Sequence, residues 1–186
     1  CSSDLYWKAR IPEIFPAPEL PVKNTAQALQ EQKFERLEAV LDEVKWNKIK
    51  NVGIKNGLTA SGLLLTAYAE VLTRWSKSPK FTINLTRFNR LPIHNQIMDM
   101  VGDFTSLTLL AVDNTIGDSF LDRSRNLQKQ LWQDLAHPYY SGVELERELN
   151  KNYDTRQGAV MPIVFTSGLG IKESGKKEEE QYFGNM

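Results

Sequence analysis

The chain has 186 residues, 41% hydrophobic and 25% charged, with 23 basic and 23 acidic side chains. That suits one domain with its own core, and the balanced charge gives no basic patch for nucleic acid. No apolar run approaches the roughly 18 residues of a membrane span, and the single cysteine, Cys1, excludes an internal disulfide.

One cysteine favours a reducing, cytoplasmic compartment, and its terminal position reads as a bystander rather than a nucleophile. No signal peptide is visible. The chain does not begin with Met, which leaves room for residues upstream.

In chain order, SDLYWKAR (3–10) predicts a short helix that ends before Pro12. PEIFPAPELP carries four prolines and predicts an extended, irregular connection. KFERLEAVL (33–41) fits a strand better than a helix. Asp42 caps a helix through Asn56, with Gly57 as its left-handed stop. Thr59 caps the next helix, residues 60–76, which is apolar nearly all round. That predicts a buried central helix, Leu64 included.

Residues 81–88 alternate Phe81, Ile83 and Leu85 against Thr82, Asn84 and Thr86, a strand pattern. A second strand is expected over 104–112. Helix 119–136 lines up Phe120, Leu121, Leu127, Leu131, Trp132 and Leu135. SGVE (141–144) fits a reciprocal cap in which Ser141 and Glu144 each satisfy a backbone N–H, opening helix 141–152. AVMPIVFTSG reads as a last strand, and the Lys/Glu-rich stretch 172–180 as a solvated loop or tail. The order βααββααβ predicts an α/β two-layer sandwich, a mixed sheet with packed helices.

Familiar site motifs are missing. There is no phosphate-binding glycine loop and no G-x-S-x-G elbow. Gly168-Leu169-Gly170 reads as a turn rather than a dinucleotide fingerprint. His94 and His137 stand far apart without cysteine or histidine companions, so no metal site is expected. His137 follows a helix end, where a histidine facing the dipole is common.

What stands out is the polar set within strands 81–112: Asn84, Thr86, Asn89, Arg90, Asp103, Thr105, Ser106 and Thr108. An ordinary half-exposed sheet would also carry Asn84, Thr86 and Thr108. Asp103 after Gly102 also fits a turn, with Arg90 as its ion partner. Spacing does not separate these readings.

The order of longer motifs does. Phe88-Asn89-Arg90-Leu91-Pro92-Ile93-His94, then Val101-Gly102-Asp103-Phe104-Thr105-Ser106-Leu107, then Pro162-Ile163-Val164-Phe165-Thr166-Ser167 follow one another. They resemble the F-N-R-x-P-x-H-P, V-G-D-F-T-S-L and P-V-V-F-T-S stretches of heterocyclization domains of nonribosomal peptide synthetases. GLTASGLLLTAYAEVLTRWSKSPKFTINLT and SSDLYWKARIPEIFPAPELP resemble the preceding segment and the join between the family's lobes. The likeness covers nearly the whole chain. Asn95 stands where the family usually has proline. The family's D-x-x-x-x-D motif belongs to the other lobe, and its S-Q-T-P-Q-x-x-x-D motif would follow residue 186.

The resemblance implies a carboxy-terminal lobe of chloramphenicol-acetyltransferase-like fold over 1–186. Residues 1–21 would be the inter-lobe connection and 172–186 a polar truncated end. It implies a tunnel between two lobes in which a carrier-bound acyl thioester is joined to a carrier-bound Cys, Ser or Thr. The product is then cyclodehydrated to a thiazoline or oxazoline. No cofactor would bind directly; phosphopantetheine would arrive on donor and acceptor carrier proteins. The amino-terminal lobe and an adjacent adenylation domain would be the other partners.

By the same resemblance, Thr166 would serve cyclodehydration, and either Asn84 or Asn89 would join it. Asp103 would be a further catalytic candidate, and Arg90, Thr105, Ser106 and Ser167 would bind substrate or shape the site. Two other readings fit the same residues: a non-catalytic, carrier-docking lobe, and the equivalent lobe of an amide-forming condensation domain. Upstream sequence separates the chemistries, since plain condensation uses H-H-x-x-x-D-G.

Overall fold

In this computed structural model, which describes residues 2–22, 34–90, 93–97, 99–152 and 161–169, three helices precede a hairpin of two strands. They are α1 (Ser2–Arg10), α2 (Glu43–Lys55) and α3 (Ala60–Trp75), then β1 (Lys80–Phe88) and β2 (Thr105–Asp113). After them come α4 (Phe120–Leu135), α5 (Gly142–Asn152) and β3 (Val164–Thr166). A 3-10 turn, Ile11–Glu13, carries Pro12 near its start.

The helix boundaries follow local chemistry. The Asp42 carboxylate accepts the Lys45 N–H at 2.9 Å, and α2 stops at Gly57, whose φ is 71°. Thr59 Oγ1 accepts the Gly62 N–H at 3.0 Å to start α3. Ser141 and Glu144 form the expected reciprocal cap. The Ser141 N–H donates to the Glu144 carboxylate at 2.8 Å, and the Glu144 N–H donates to Ser141 Oγ at 3.3 Å.

The sheet order is β2-β1-β3, antiparallel on one side of β1 and parallel on the other. Below β3, the edge of β1 is taken by the proline-rich connection: the Thr82 N–H donates to the Pro16 carbonyl at 3.0 Å, and Thr82 Oγ1 to that of Phe15 at 2.7 Å. An irregular segment thus covers an edge that would otherwise expose its hydrogen-bonding groups.

One face of the sheet presents Phe81, Ile83, Leu85, Leu110 and Val112 to Leu65, Ala69 and Leu72 of α3 and to Leu127 and Leu131 of α4. The mixed sheet with packed helices agrees with the α/β class expected from sequence. To it the structure adds a smaller core on the opposite face, where Leu109 meets Trp7 of α1, Leu145 and Leu149 of α5, and Met161.

Two expectations are corrected. Residues 34–41 form no strand; Phe34, Leu37 and Val40 are 94%, 95% and 98% exposed. With these side chains exposed, a strand face here has no buried surface to stabilise it. The helix expected over 3–10 does form, as α1, and among the described residues no strand stands between it and α2. Helix α3 is not buried all round either. Leu63, Leu65, Ala69 and Leu72 point inward, whereas Leu64, Val71 and Trp75 lie on the outer side. Composition gave α3 no preferred face; the sheet chose one.

Helix α1 is fastened by a buried ion pair. The Arg10 guanidinium donates to the Asp134 carboxylate of α4, which also accepts from Tyr6 Oη at 2.7 Å and Gln130 Nε2 at 3.1 Å. The Tyr6 ring stacks on His137 at 3.9 Å, and Trp7 Nε1 donates to the His137 carbonyl at 3.0 Å. Burial pushes the Asp134 carboxyl up, against the pull of Arg10, Tyr6 and Gln130. Burial and the bond to Asp134 push Tyr6 up to about 12.

Leu65→Asp is expected to destabilise the domain by about 3–5 kcal/mol, since it buries an unpaired charge. Leu64→Asp, on the exposed side, should shift the denaturant midpoint little; equal losses would show that both positions are core. Arg10→Met should cost about 3 kcal/mol by stranding Asp134, and adding Asp134→Leu should recover most of it. Additive losses in denaturant titrations would mean that the two side chains act separately.

Candidate functional site

The polar residues singled out in the sequence divide between the sheet and the loop that follows it. Residues partnered across strands share a face, so register decides which meet. Thr86 is the Cα partner of both Leu107 in β2 and Thr166 in β3; Asn84 is the partner of Leu109 and Val164. Asn84, Thr86, Thr105 and Thr166 therefore lie on one face, the side that carries α1 and α5. Thr166 is exposed and Thr86 half-buried.

Asn84 is 6% exposed, and its amide oxygen has no hydrogen-bond partner among the described residues. A buried acceptor in that state is destabilising unless something fills it. It is two residues from Thr86 along a strand, one position down the same face.

Helix α5 approaches this face closely. A side chain at Gly142 would come within 3.0 Å of the Leu107 backbone, so the helix start sits against β2.

On the other face, β3 is tied to α3. The Phe165 ring packs against Tyr68 at 5.7 Å between centroids, and Ser167 Oγ shares a 3.1 Å hydrogen bond with Ser61 Oγ. Ser106 also belongs to this side, as the partner of Arg87, whose Nη2 donates to the Pro138 carbonyl at 3.0 Å. Burial pulls the Arg87 guanidinium down.

Asn89, Arg90 and Asp103 occupy the ends of the 89–104 loop. The Asn89 N–H closes the hairpin on the Phe104 carbonyl at 2.8 Å. Arg90 stacks over the Phe104 ring at 4.1 Å and donates to the carbonyls of Ile97 and Met100 at 2.7 and 2.9 Å. Asp103 accepts the Thr105 N–H at 2.8 Å in a local turn, and its contacts with Thr105 hold its carboxyl below the usual range. Arg90 thus organises the loop and Asp103 turns the chain into β2.

Sequence reasoning brought Asn84 and Thr166 forward and the register unites them. Thr86 stood in the polar set, but only the pairing of β1 with β3 puts it beside Thr166. Sequence reasoning missed Ser61 entirely; no short spacing links it to Ser167. Among the described residues no group of three His, Cys, Asp or Glu side chains could hold a metal ion, and no helix is long and apolar enough to cross a membrane. His94 is exposed and its Nδ1 accepts the Gln96 N–H at 3.2 Å.

Residues 2–186 match the family described as the Condensation domain. Pyochelin synthetase PchF of Pseudomonas aeruginosa (strain UCBPP-PA14) is 42% identical over 165 residues, 89% of this chain and 9% of that protein. Phenyloxazoline synthase MbtB of Mycobacterium sp. (strain MCS) is 31% identical over 179 residues, 96% of this chain and 15% of that protein. The monoclinic crystal form of the EpoB cyclization-docking bidomain from Sorangium cellulosum superposes with a TM-score of 0.81 at 43% identity. That superposition covers 90% of this chain and 34% of the other. The chain therefore spans between about a tenth and a third of the relatives named here. The chain belongs to the condensation-domain family.

Proposed function

We propose that the chain is the carboxy-terminal lobe of a domain that joins a carrier-bound acyl or peptidyl thioester to a carrier-bound Cys, Ser or Thr and closes the product to a thiazoline or oxazoline. The observation that carries this reading is the exposed Thr166 of the V-F-T-S stretch, in a chain 43% identical to a cyclization structure.

The chemistry has two stages. The acceptor amine attacks the donor thioester carbonyl, the carrier thiol leaves, and an amide forms. The acceptor's side-chain sulfur or oxygen then adds to that amide carbonyl. The resulting tetrahedral hydroxyl departs as water while the nitrogen loses its proton, leaving a C=N bond in the ring. Neither stage needs a strong base if hydrogen-bonding groups hold the tetrahedral centre and pass protons.

Thr166 is suited to the second stage: it is exposed, and its hydroxyl can both donate and accept. It would orient the departing hydroxyl, or an aspartate from elsewhere in the domain. Asn84 is the better of the two asparagine candidates, because it shares the face of Thr166 and its amide oxygen awaits a donor. Asn89 and Asp103 would instead set the course of the loop, with Arg90 as its anchor. Thr105 would stand at the rim and Ser106 and Ser167 would support the strands from the opposite face.

The site would be completed by the amino-terminal lobe. Residues 1–21 would lead from it, already docked through α1. Substrates would arrive on phosphopantetheine arms of donor and acceptor carrier proteins, the latter loaded by an adenylation domain, in the cytoplasm.

In the parent synthetase, Thr166→Ala should slow ring closure more than amide formation. Linear, uncyclised amide should then accumulate in a mass-spectrometric assay. Equal loss of both steps would point to a general binding role, and no loss would remove Thr166 from the mechanism. Residues 1–186 by themselves should form no ring with loaded carriers, because half a tunnel cannot confine both arms. Ring product above the carriers-only background would mean that this lobe holds a complete site.

A further inference from the structure

We propose that Ser61, at the start of α3, is a positioning residue for Thr166, acting through Ser167; this rests on the reading of Thr166 given above. Strand β3 is three residues long and pairs only with β1 among the described residues, so its own ladder holds it weakly. Thr166 lies on the face of Asn84 and Thr86. The residues on either side of it point to the opposite face, and both are engaged by α3. Phe165 rests on Tyr68, and Ser167 is hydrogen-bonded to Ser61. Ser61 and Tyr68 are seven positions apart and so lie on one side of the helix, two turns from each other. Thr166 is thus suspended between two contacts with a single rigid element.

The helix end that carries Ser61 is itself fixed. Gln128 of α4 accepts from both the N–H and the hydroxyl of Thr59, at 2.8 and 3.0 Å, and its amide donates to the Gly57 carbonyl at 2.8 Å. Thr59 in turn caps α3 through Gly62. A side chain at Gly62 would come within 2.7 Å of Gln128 Oε1 and 2.9 Å of Thr59 Oγ1, the atoms that make these bonds. Ser61 is 8% exposed and lies in the first turn so held. The Leu169 N–H also reaches Ser167 Oγ, at 3.4 Å, so the serine closes the chain that follows Thr166 as well.

A hydroxyl that merely stabilised the fold would lower both reaction stages together. One that sets the position of Thr166 lowers ring closure selectively, because a small displacement at a reacting centre weakens transition-state contacts most. The test uses the parent synthetase with loaded carriers and measures the ratio of linear amide to ring product. Four variants are compared: Ser61→Ala, Ser167→Ala, the double variant, and Thr166→Ala. Hydrogen exchange over 161–169 is followed in each.

Each serine variant should raise the ratio roughly threefold to tenfold, the range for one lost hydrogen bond. The double variant should be no worse than either single one, since the two hydroxyls form one contact. Exchange over 161–169 should quicken in both single serine variants. If Thr166→Ala raises the ratio while Ser61→Ala leaves it unchanged, the inference is overturned and the proposed function stands. Additive effects of the two serine variants also overturn it, because the hydroxyls would then act independently. If Thr166→Ala itself leaves the ratio unchanged, the role of Thr166 fails and the positioning role fails with it, whatever the exchange data show.

Discussion

Everything in this fold depends on the pairing of β1. It is hydrogen-bonded along β2 on one edge; on the other it is met by β3 above and the proline-rich connection below. Its Phe81, Ile83 and Leu85 supply the larger core, while Thr82 and Asn84 are buried on the opposite side. A strand enclosed in this way has its register fixed, since a slip by one residue would exchange its two faces. The same register that puts Ile83 against α3 puts Thr86 beside Thr166. Core packing and site geometry are therefore one constraint.

That constraint explains how polar groups come to stand on a sheet interior. Thr82 satisfies its hydroxyl on the Phe15 carbonyl, a backbone partner brought by an irregular segment. Asn84, one step further along the same face, has no such partner for its oxygen among the described residues. The contrast marks where structural demand ends: the first residue closes an edge, and the second is left with capacity to bind something else. The loop from 89 to 104 shows the complementary arrangement, with Arg90 spent on a ring and two carbonyls.

Local signals were the legible part of the sequence. Asp42, Thr59 and the Ser141/Glu144 pair act through neighbours three residues away, and all three caps form as read. The alternation of β1 and the apolar spacing of α4 were equally direct. What failed depended on contacts the sequence does not encode locally. The outward side of α3 has the same composition as its inward side, so Leu64 could not be distinguished from Leu65. Residues 34–41 carry apolar side chains with no partner among the described residues, so a propensity for strand was not realised. Asn84 and Thr166 were brought forward as candidates by extended motif likeness, and the register places them on one face. Thr86 and Ser61 depend on strand register and on a contact between positions 61 and 167.

The shortness of β3 has a consequence for the order in which the fold assembles and loosens. Its pairing joins Asn84 to Val164 across helices α4 and α5 and strand β2, whereas β1 and β2 are neighbours in the chain. Contacts between distant positions come late in folding, because the intervening chain must first be ordered. The hairpin and the helices on its larger core can therefore consolidate before β3 docks. In the reverse direction, three residues of ladder are lost more readily than nine. The segment bearing Thr166 thus relies on its contacts with α3, Phe165 on Tyr68 and Ser167 on Ser61, more than on its own ladder.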